Sequence, residues 1–211
     1  MTADPYQKIR EEMVARQIEA RGVKDRRVLA AMRKIPRHLF VPEEYWDEAH
    51  SDDPLPIGLE QTISQPYIVA VMTELLALSP KHRVLEVGTG SGYQTTLLAE
   101  LAGEVYSLEI VPELGKRAAD LLTSLGCKNV WIKIADGYNG WPEMAPFDAI
   151  IATACAEELP QPLLGQLKSG GRLVAPLGSE REQYLYLFTR TEEGVVKKRS
   201  VPVRFVPLTR Q

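Results

Sequence analysis

The chain has little cysteine: Cys127 and Cys155 are the only two among 211 residues. They lie far apart and have no partners at zinc-ligand spacing, so we interpret both as reduced, packed thiols and predict no metal site. Long hydrophobic runs are also missing, because the apolar segment 68–72 is followed at once by polar residues. The first ten residues contain no apolar secretory core. These absences predict a cytoplasmic protein that does not associate with membranes.

Charge of one sign is not concentrated anywhere in the sequence. The 25 basic and 28 acidic residues give a net charge of -3 without a basic block, so tight binding to nucleic acid is not expected. The histidines His38, His50 and His82 stand apart, and we assign none of them a catalytic role. The sequence also contains neither a P-loop nor an HExxH motif.

The hydrophobic content of 45% is enough for one full core, and we expect residues 1–211 to form a single domain. The first third has helical spacing: Asp4 is the expected cap of a helix that stops at Gly22, and Asp25 that of a second helix. The prolines and aromatics of segment 40–58 predict an irregular surface segment. The buried stripes of the two helices are expected to contain Ile9, Met13, Val14, Ile18, Val28, Leu29 and Met32.

After residue 65 the sequence alternates between strand and helix patterns, beginning with a helix from about Pro66 to Leu78. The first strands are expected at Arg83–Val87, Val105–Glu109, Val130–Ile134 and Phe147–Ala152, with helices near Tyr93–Leu101 and Pro112–Leu125. The later strands are expected at Gly171–Pro176, Tyr184–Thr189 and Val195–Val206. Helical connections favour right-handed parallel crossovers, whereas short ones favour antiparallel pairing. The sequence thus predicts a doubly wound, Rossmann-like α/β sheet, mostly parallel with an antiparallel C-terminal edge. This core of residues 66–211 follows an N-terminal helical and substrate-site elaboration, residues 1–65.

The most distinctive stretch, Arg83–Gln94, has the pattern of a buried strand, a glycine-rich turn and the start of a helix. A dinucleotide site would have the third glycine of G-x-G-x-x-G where this chain has Tyr93, and Gly92 comes one residue early. Glu86 lies two residues before Gly88, which favours a ligand with an ammonium group over a pyrophosphate. The ligand that fits best is S-adenosylmethionine.

Two acidic positions at predicted strand ends support a nucleotide-type site. Glu109 lies about 21 residues beyond Gly88, where a doubly wound fold puts the acid that binds the ribose hydroxyls. The alternative interpretation of Glu109 is an ordinary solvated glutamate at a strand end. Asp136 and Gly137 follow the third predicted strand, where a carboxylate can accept the adenine amino group. Their alternative is an ordinary Asp-Gly turn.

A second motif precedes the glycine loop. It reads LPIGLEQTISQP over residues 55–66 and is followed by MTELL at 72–76. Together with the loop, it resembles the segment that protein-L-isoaspartate O-methyltransferases, a family of class I methyltransferases, carry before their cofactor loop. The resemblance covers nearly the whole chain. Segments similar to the family's fourth strand, fifth strand and C-terminal signature are APFDAII at 145–151, LKSGGRLV at 167–174 and VRFVPL at 203–208.

This resemblance implies an enzyme that transfers the methyl group of S-adenosylmethionine to the free α-carboxylate of L-isoaspartyl residues in damaged peptides and proteins, with repair through a succinimide. A carboxylate is already ionised at neutral pH and needs no strong base. Ser64 therefore fits as the residue that positions it with one hydrogen bond, and the alternative is a helix N-cap. The implied substrate-binding residues are Gln61, Thr62 and Val206. The implied cofactor-binding residues are Glu86, Gly88, Gly90, Ser91, Glu109, Asp136 and Gly137.

Two other functions stay open from the sequence. A methyltransferase of this fold could act on a small molecule instead of a peptide, or the domain could bind its cofactor without turnover and serve as an interaction module. The intact segment around Ser64 argues against the interaction module. We expect a monomer whose partners are peptides and proteins with L-isoaspartyl residues.

Overall fold

The N-terminal part of the molecule consists of short helices followed by a hairpin. The computed structural model describes residues 4–210. Asp25 caps the second helix, as predicted, by accepting a backbone hydrogen bond at 2.8 Å, and Gly22 ends the first helix with a φ of +101°. Asp4 accepts the N–H of Tyr6 at 2.9 Å before the first helix begins. The elements are α1 (Gln7–Met13), a π-helical turn (Val14–Ile18), α2 (Arg26–Lys34), and the antiparallel strands β1 (Leu55–Gly58) and β2 (Gln61–Ile63).

One expectation for this part is wrong, and a second is only partly right. Ile9 is 47% exposed, because Arg10 takes the inner position and donates from Nε to a backbone carbonyl of α2, whereas the other predicted stripe residues are buried. Segment 40–58 has the predicted irregular backbone, and residues 42–48 and 51–54 are exposed or half-buried, but the segment also contains β1 and contributes five apolar side chains to the core. Its irregular backbone is compatible with burial because polar groups are bonded, as when Ala49 accepts from Arg37. The buried apolar side chains of the segment are Phe40, Val41, Ala49, Leu55 and Ile57.

His38 and His50 do not stand apart in the folded molecule. Their ring centroids are 5.9 Å apart, both rings pack against Tyr6, and Trp46 contacts His38 edge-on. Both histidines are buried, and burial lowers the pKa of His50 to about 4, so this ring is neutral at pH 7. The pair belongs to the packing of the N-terminal part.

The centre of the molecule is a seven-stranded sheet. Its strands are β3 (Arg83–Val87), β4 (Glu104–Glu109), β5 (Val130–Ile134), β6 (Phe147–Ala152), β7 (Leu167–Gly178), β8 (Gln183–Thr191) and β9 (Gly194–Val203). Their order is β5-β4-β3-β6-β7-β8-β9, parallel up to β7 and antiparallel beyond it. The predicted doubly wound sheet with an antiparallel C-terminal edge is confirmed. Strand β9 ends at Val203, three residues before the predicted end at Val206. Beyond Val203 the chain leaves the edge of the sheet, and Pro207 forms an isolated bridge with Cys155.

Helices cover the sheet on both faces. The remaining helices are α3 (Pro66–Leu76), α4 (Tyr93–Leu101), α5 (Pro112–Ser124) and α6 (Gln161–Gly165). Side chains of α3, α4 and α5 share one apolar core with the N-terminal helices, while α6 packs into a second core on the opposite face. Among residues 4–210 we find neither a helix suited to crossing a bilayer nor a grouping of side chains able to hold a metal ion.

Candidate active site

The loops that follow β3, β4 and β6 meet at one edge of the sheet. Because β3 lies between β4 and β6, the chain winds in opposite directions from it and leaves a crevice at the carboxyl ends of these strands. This crevice is here called the sheet-edge cavity, and it is open to solvent on one side. Its lining includes Gln61, Thr62, Gly88, Gly90, Glu109, Gly137, Thr153 and Val206.

The glycine loop has a backbone that requires glycine at Gly88. Its φ is +98°, and a Cβ there would lie 2.3 Å from the Oγ1 of Thr153. That hydroxyl donates to the carbonyls of Val87 and Gly88 at 3.1 and 2.6 Å, so Thr153 on one strand end holds the loop of the neighbouring strand. The absence of a side chain at Gly88 therefore keeps the floor of the cavity flat enough for a ligand to approach the backbone.

Glu109 lies at the end of β4 and lines the sheet-edge cavity. Its Oε2 accepts the N–H of Gly90 at 2.7 Å and its Oε1 accepts the N–H of Val111 at 2.9 Å. Each oxygen retains acceptor capacity beyond these bonds, because a carboxylate has about four lone-pair sites. The carboxylate is thus fixed at the place where the sequence predicts ribose binding.

The structure contradicts the expectation that Glu86 faces the ligand. Its side chain is fully buried and accepts the hydroxyls of Thr95 and Ser107 at Oε2, the latter at 2.6 Å. The side chain of Glu86 points from β3 toward α4 and β4 rather than toward the cavity. Burial raises the pKa of Glu86 to about 8, so this carboxyl is mostly neutral at pH 7 and lacks the charge that an ammonium group would require. It supports the loop from beneath.

Three further predicted cofactor residues differ in whether they line the sheet-edge cavity: Asp136, Gly137 and Ser91. Gly137 lines it, and a Cβ there would lie 2.3 Å from Val87. Asp136 accepts the N–H of Tyr138 at 2.9 Å. The ordinary Asp-Gly turn, which was the alternative to an adenine contact, is therefore present. The contact of Asp136 with adenine stays a prediction. Ser91 lines a smaller neighbouring cavity and not the sheet-edge cavity.

Two further cavities adjoin the first and share Thr62, Ser64 and Thr153. The C-terminal groove is lined by these residues and by Pro54, Gln65, Ile68, Pro202, Val203, Arg204, Phe205 and Val206. The connecting cavity leads to the glycine loop, and its lining also includes Gly88, Gly90, Ser91 and Tyr93. Ser64 is therefore placed between the groove and the loop. Thr62 and Thr153 line all three cavities.

Ser64 is not the N-cap of the helix that follows it. Helix α3 begins at Pro66 with Gln65 in the cap position, and Asp52 from the preceding segment accepts the N–H of Tyr67 at 3.3 Å. Asp52 also accepts the side-chain amide of Gln65 at 2.7 Å. Within residues 4–210 the Ser64 hydroxyl has no hydrogen-bond partner. Because Asp52 serves the helix end, the Ser64 hydroxyl is not used as a helix cap.

The structure brings together most of the predicted site and adds three residues that the sequence interpretation missed. Thr153 directly follows β6, and the rule that selected Glu109 at the end of β4 could also have found it. The rule does not find Asp52 and Arg37, because neither follows a strand of the sheet. They contact the chain at Tyr67 and at Ser64, and neither of them lines one of the three cavities.

Gly88→Ala tests the glycine loop against Gly22→Ala, a matched control. Gly22 has nearly the same φ, +101° against +98°, but nothing lies within 4 Å of its added Cβ. Both variants should share the backbone strain, about 1–2 kcal/mol, whereas Gly88→Ala should lose about 1–3 kcal/mol more from overpacking against Thr153. Urea unfolding measures this difference. Calorimetry with S-adenosylhomocysteine should show weakened binding for Gly88→Ala alone, and equal binding by both variants would contradict the role given to Gly88.

A doubly wound sheet with a glycine loop after β3 and an acid at the end of β4 is a nucleotide-type site, and the glycine spacing, with Tyr93 in place of a third glycine, fits a class I methyltransferase. A sequence model of the protein-L-isoaspartate(D-aspartate) O-methyltransferase family matches residues 7–211, and the chain belongs to this family. The predicted family, fold class and methyltransferase activity are thereby confirmed. The roles of individual site residues stay predictions.

Relatives of this family are similar along the whole chain. A protein-L-isoaspartate O-methyltransferase of Gloeobacter violaceus is 54% identical over 200 residues, which cover 94% of this chain and 98% of the relative. One of Methanoculleus marisnigri is 54% identical over 211 residues, covering 100% and 96%. A Plasmodium falciparum structure described as a protein-L-isoaspartate O-methyltransferase with S-adenosyl-L-homocysteine has a TM-score of 0.83 and 27% identity, covering 96% of this chain and 99% of that one. Another solved protein-L-isoaspartate O-methyltransferase has a TM-score of 0.83 and 30% identity, and the match covers 94% of this chain but only 65% of that longer one.

Proposed function

We propose that Ser64 presents the free α-carboxylate of an L-isoaspartyl residue to a methyl group held over the glycine loop. The observation that carries this proposal is the hydroxyl of Ser64. It has no hydrogen-bond partner within residues 4–210 and lies between the C-terminal groove and the connecting cavity. A neutral donor suits this reaction, because it orients a carboxylate without the strong ion pair that would stabilise the nucleophile.

The cofactor, S-adenosylmethionine, supplies a methyl group whose bond to sulfur breaks as its bond to the carboxylate oxygen forms. The residues proposed to hold it are those that line the sheet-edge cavity: the backbone at Gly88, Gly90 and Gly137, and the carboxylate of Glu109. The fit rests on two features. A Cβ at Gly88 or at Gly137 would come within 2.3 Å of a neighbouring side-chain atom, and Glu109 is held rigidly by two backbone N–H groups.

The reaction needs alignment more than proton transfer. The acceptor is ionised at neutral pH, and an in-line displacement requires the oxygen, carbon and sulfur to be held in a row with water excluded. Among the described residues that line the three cavities there is no histidine, lysine or cysteine. This lining fits a site that positions an ionised nucleophile and does not have to activate it.

The C-terminal groove is proposed to hold the peptide on either side of the damaged residue. Its walls are the segment around Ser64 and the chain from Pro202 to Val206, where β9 ends. Val206 lines both this groove and the sheet-edge cavity, so it lies where the acceptor and the methyl donor would meet. Gln61 and Thr62 also line the sheet-edge cavity. The methyl ester formed there would leave the enzyme and cyclise to a succinimide without further catalysis.

Labelled S-adenosylmethionine with an L-isoaspartyl peptide and its L-aspartyl counterpart tests the function directly. Methyl transfer is expected to the isoaspartyl peptide alone, because only there is the α-carboxylate free, the peptide bond being formed through the β-carboxyl group instead. Equal labelling of the two peptides would contradict the proposal. Transfer to metabolites but to neither peptide would favour a small-molecule methyltransferase, and tight cofactor binding without any transfer would favour an interaction module.

We further propose that the enzyme acts as a cytoplasmic monomer on damaged proteins and has no nucleic-acid partner. The two cysteines, Cys127 and Cys155, are unpaired, as expected in a reducing compartment. The net charge of -3 argues against a polyanionic partner. Sedimentation at micromolar concentration would give a mass near 23.6 kDa for a monomer.

A further inference from the structure

Arg37 is a fully buried arginine that contacts both the segment around Ser64 and the residue that follows the glycine loop. Its Nε donates to the carbonyl of Ala49 at 2.7 Å, and its Nη2 donates to the carbonyl of Ser64 at 2.9 Å. The guanidinium carbon lies 4.9 Å from the ring centre of Tyr93, the first residue of α4 and the residue after the glycine loop. One side chain thus contacts the backbone of the acceptor segment and the ring that follows the cofactor loop.

The charge of Arg37 is not neutralised inside the protein. Within residues 4–210 no carboxylate lies within ion-pair distance of it, and its Nη1 has no hydrogen-bond partner. The carboxylate of Asp52 acts on Arg37 electrostatically, but Asp52 is already bonded by Arg21 and Gln65. Burial lowers the pKa of Arg37 to about 10, so it remains positive at pH 7. A buried cation without an ion-pair partner is costly, and an anion bound nearby would offset part of that cost.

We propose that Arg37 is a positioning residue for the methyl acceptor: it holds the Ser64 carbonyl and supplies, from behind Ser64, a positive charge that favours the acceptor carboxylate. This inference rests on the proposed function. The Arg37 side chain is not among the groups that line the three cavities, so it attracts the carboxylate through the protein without binding its oxygens. The nucleophilic oxygen therefore stays free to attack, while the carboxylate gains affinity over a neutral group.

The affinity ratio of two peptides measures this charge effect. The first is an L-isoaspartyl peptide, and the second is its L-isoasparaginyl counterpart, in which a neutral carboxamide replaces the α-carboxylate. Binding is measured with S-adenosylhomocysteine present, so no transfer occurs. In Arg37→Met and in Arg37→Gln the ratio should fall about tenfold, because both variants remove the charge. Arg37→Gln keeps an amide that can donate to Ser64, so it carries the test if Arg37→Met does not fold.

Arg37→Lys separates charge from geometry. The ammonium group keeps the positive charge but cannot donate in the two fixed directions of a guanidinium. The affinity ratio should therefore stay close to that of the unmodified protein, while kcat falls because the Ser64 backbone is held less firmly. General structural damage would weaken both peptides equally and leave the ratio unchanged.

Arg10→Gln is the matched control. Arg10 is also buried and donates to a backbone carbonyl, but it is paired with Asp4 at 2.8 Å. This variant should not change the ratio. If the neutral Arg37 variants keep the ratio, or if Arg37→Lys loses it as completely as Arg37→Gln does, the inference is wrong. If the unmodified protein itself does not prefer the isoaspartyl peptide over its aspartyl counterpart, the proposed function fails first, so the two failures are distinguishable.

Discussion

Replacing Ser64 with alanine is expected to lower kcat for an L-isoaspartyl peptide by about 10²-fold and to leave the affinity for S-adenosylhomocysteine unchanged. The hydroxyl is proposed to orient the carboxylate, so its loss misaligns the oxygen and the methyl carbon. The cofactor should not sense the change, because Ser64 lines the connecting cavity and the groove but not the sheet-edge cavity. Single-turnover methylation and calorimetry measure the two quantities separately.

The same variant also tests whether Ser64 has a structural role. An N-cap serine stabilises a protein by about 1 kcal/mol, whereas the hydroxyl of Ser64 has no partner within residues 4–210 and Asp52 serves the helix end. Ser64→Ala should thus unfold in urea within about 0.5 kcal/mol of the unmodified protein. Ser124→Ala removes an exposed hydroxyl that only bonds Leu121 at the end of α5, and it is the control for both measurements. A destabilised Ser64→Ala with normal kcat would show a cap instead of an acceptor contact.

The core of the fold could be predicted from the sequence because its signals are local. The pattern of β-branched and apolar residues between turn residues places β3, β5 and β6 at their observed bounds, and α4 likewise. The hairpin of β1 and β2 escaped prediction, since its strands have four and three residues and contain a proline and a glycine. The hairpin is also held by a long-range contact with α5, the hydrogen bond from Arg117 to the carbonyl of Ile57.

Within the site, the sequence predicts which acids lie near strand ends, but it does not predict which of them line the cavity. Glu109 and Glu86 are both acids beside the glycine loop, yet one lines the cavity and the other lies beneath it. The difference is one of depth and not of sheet face: Glu86 is in register with Ser107, two residues before Glu109, so both acids lie on the same face of the sheet. Only Glu109 is the last residue of its strand. The spacing of Glu86 from Gly88 carries no information on this choice. Arg37 was missed for a related reason, because a buried cation is recognised only when its partners are known.

Replacing Glu109 with alanine is expected to weaken cofactor binding by about 10²-fold, because a hydrogen bond to a charged group contributes about 1.5–3 kcal/mol. The carboxylate has two roles. It accepts the N–H groups of Gly90 and Val111, and the remaining lone pairs are proposed to accept the ribose hydroxyls. Glu109→Ala loses both roles, whereas Glu109→Gln keeps the shape and one good acceptor, so its binding should be intermediate. Glu104→Ala, at the other end of β4, loses a surface ion pair with Arg83 and a hydrogen bond from Tyr106, both far from the cavity, and should bind normally.

A comparison of two ligands separates the ribose contact from the loop support given by Glu109. The unmodified protein should bind S-adenosylhomocysteine more tightly than the analogue that lacks the 2′-hydroxyl, because a charged acceptor is then left without its donor. If Glu109 accepts that hydroxyl, Glu109→Ala must lose most of this preference, and the coupling between the two changes gives the strength of the contact. If the variant binds both ligands weakly but keeps the preference, Glu109 acts only by holding Gly90, and the ribose contact belongs to another group. Glu104→Ala should keep both the affinity and the preference, since its carboxylate is bonded to Arg83 and Tyr106 at the far end of the strand.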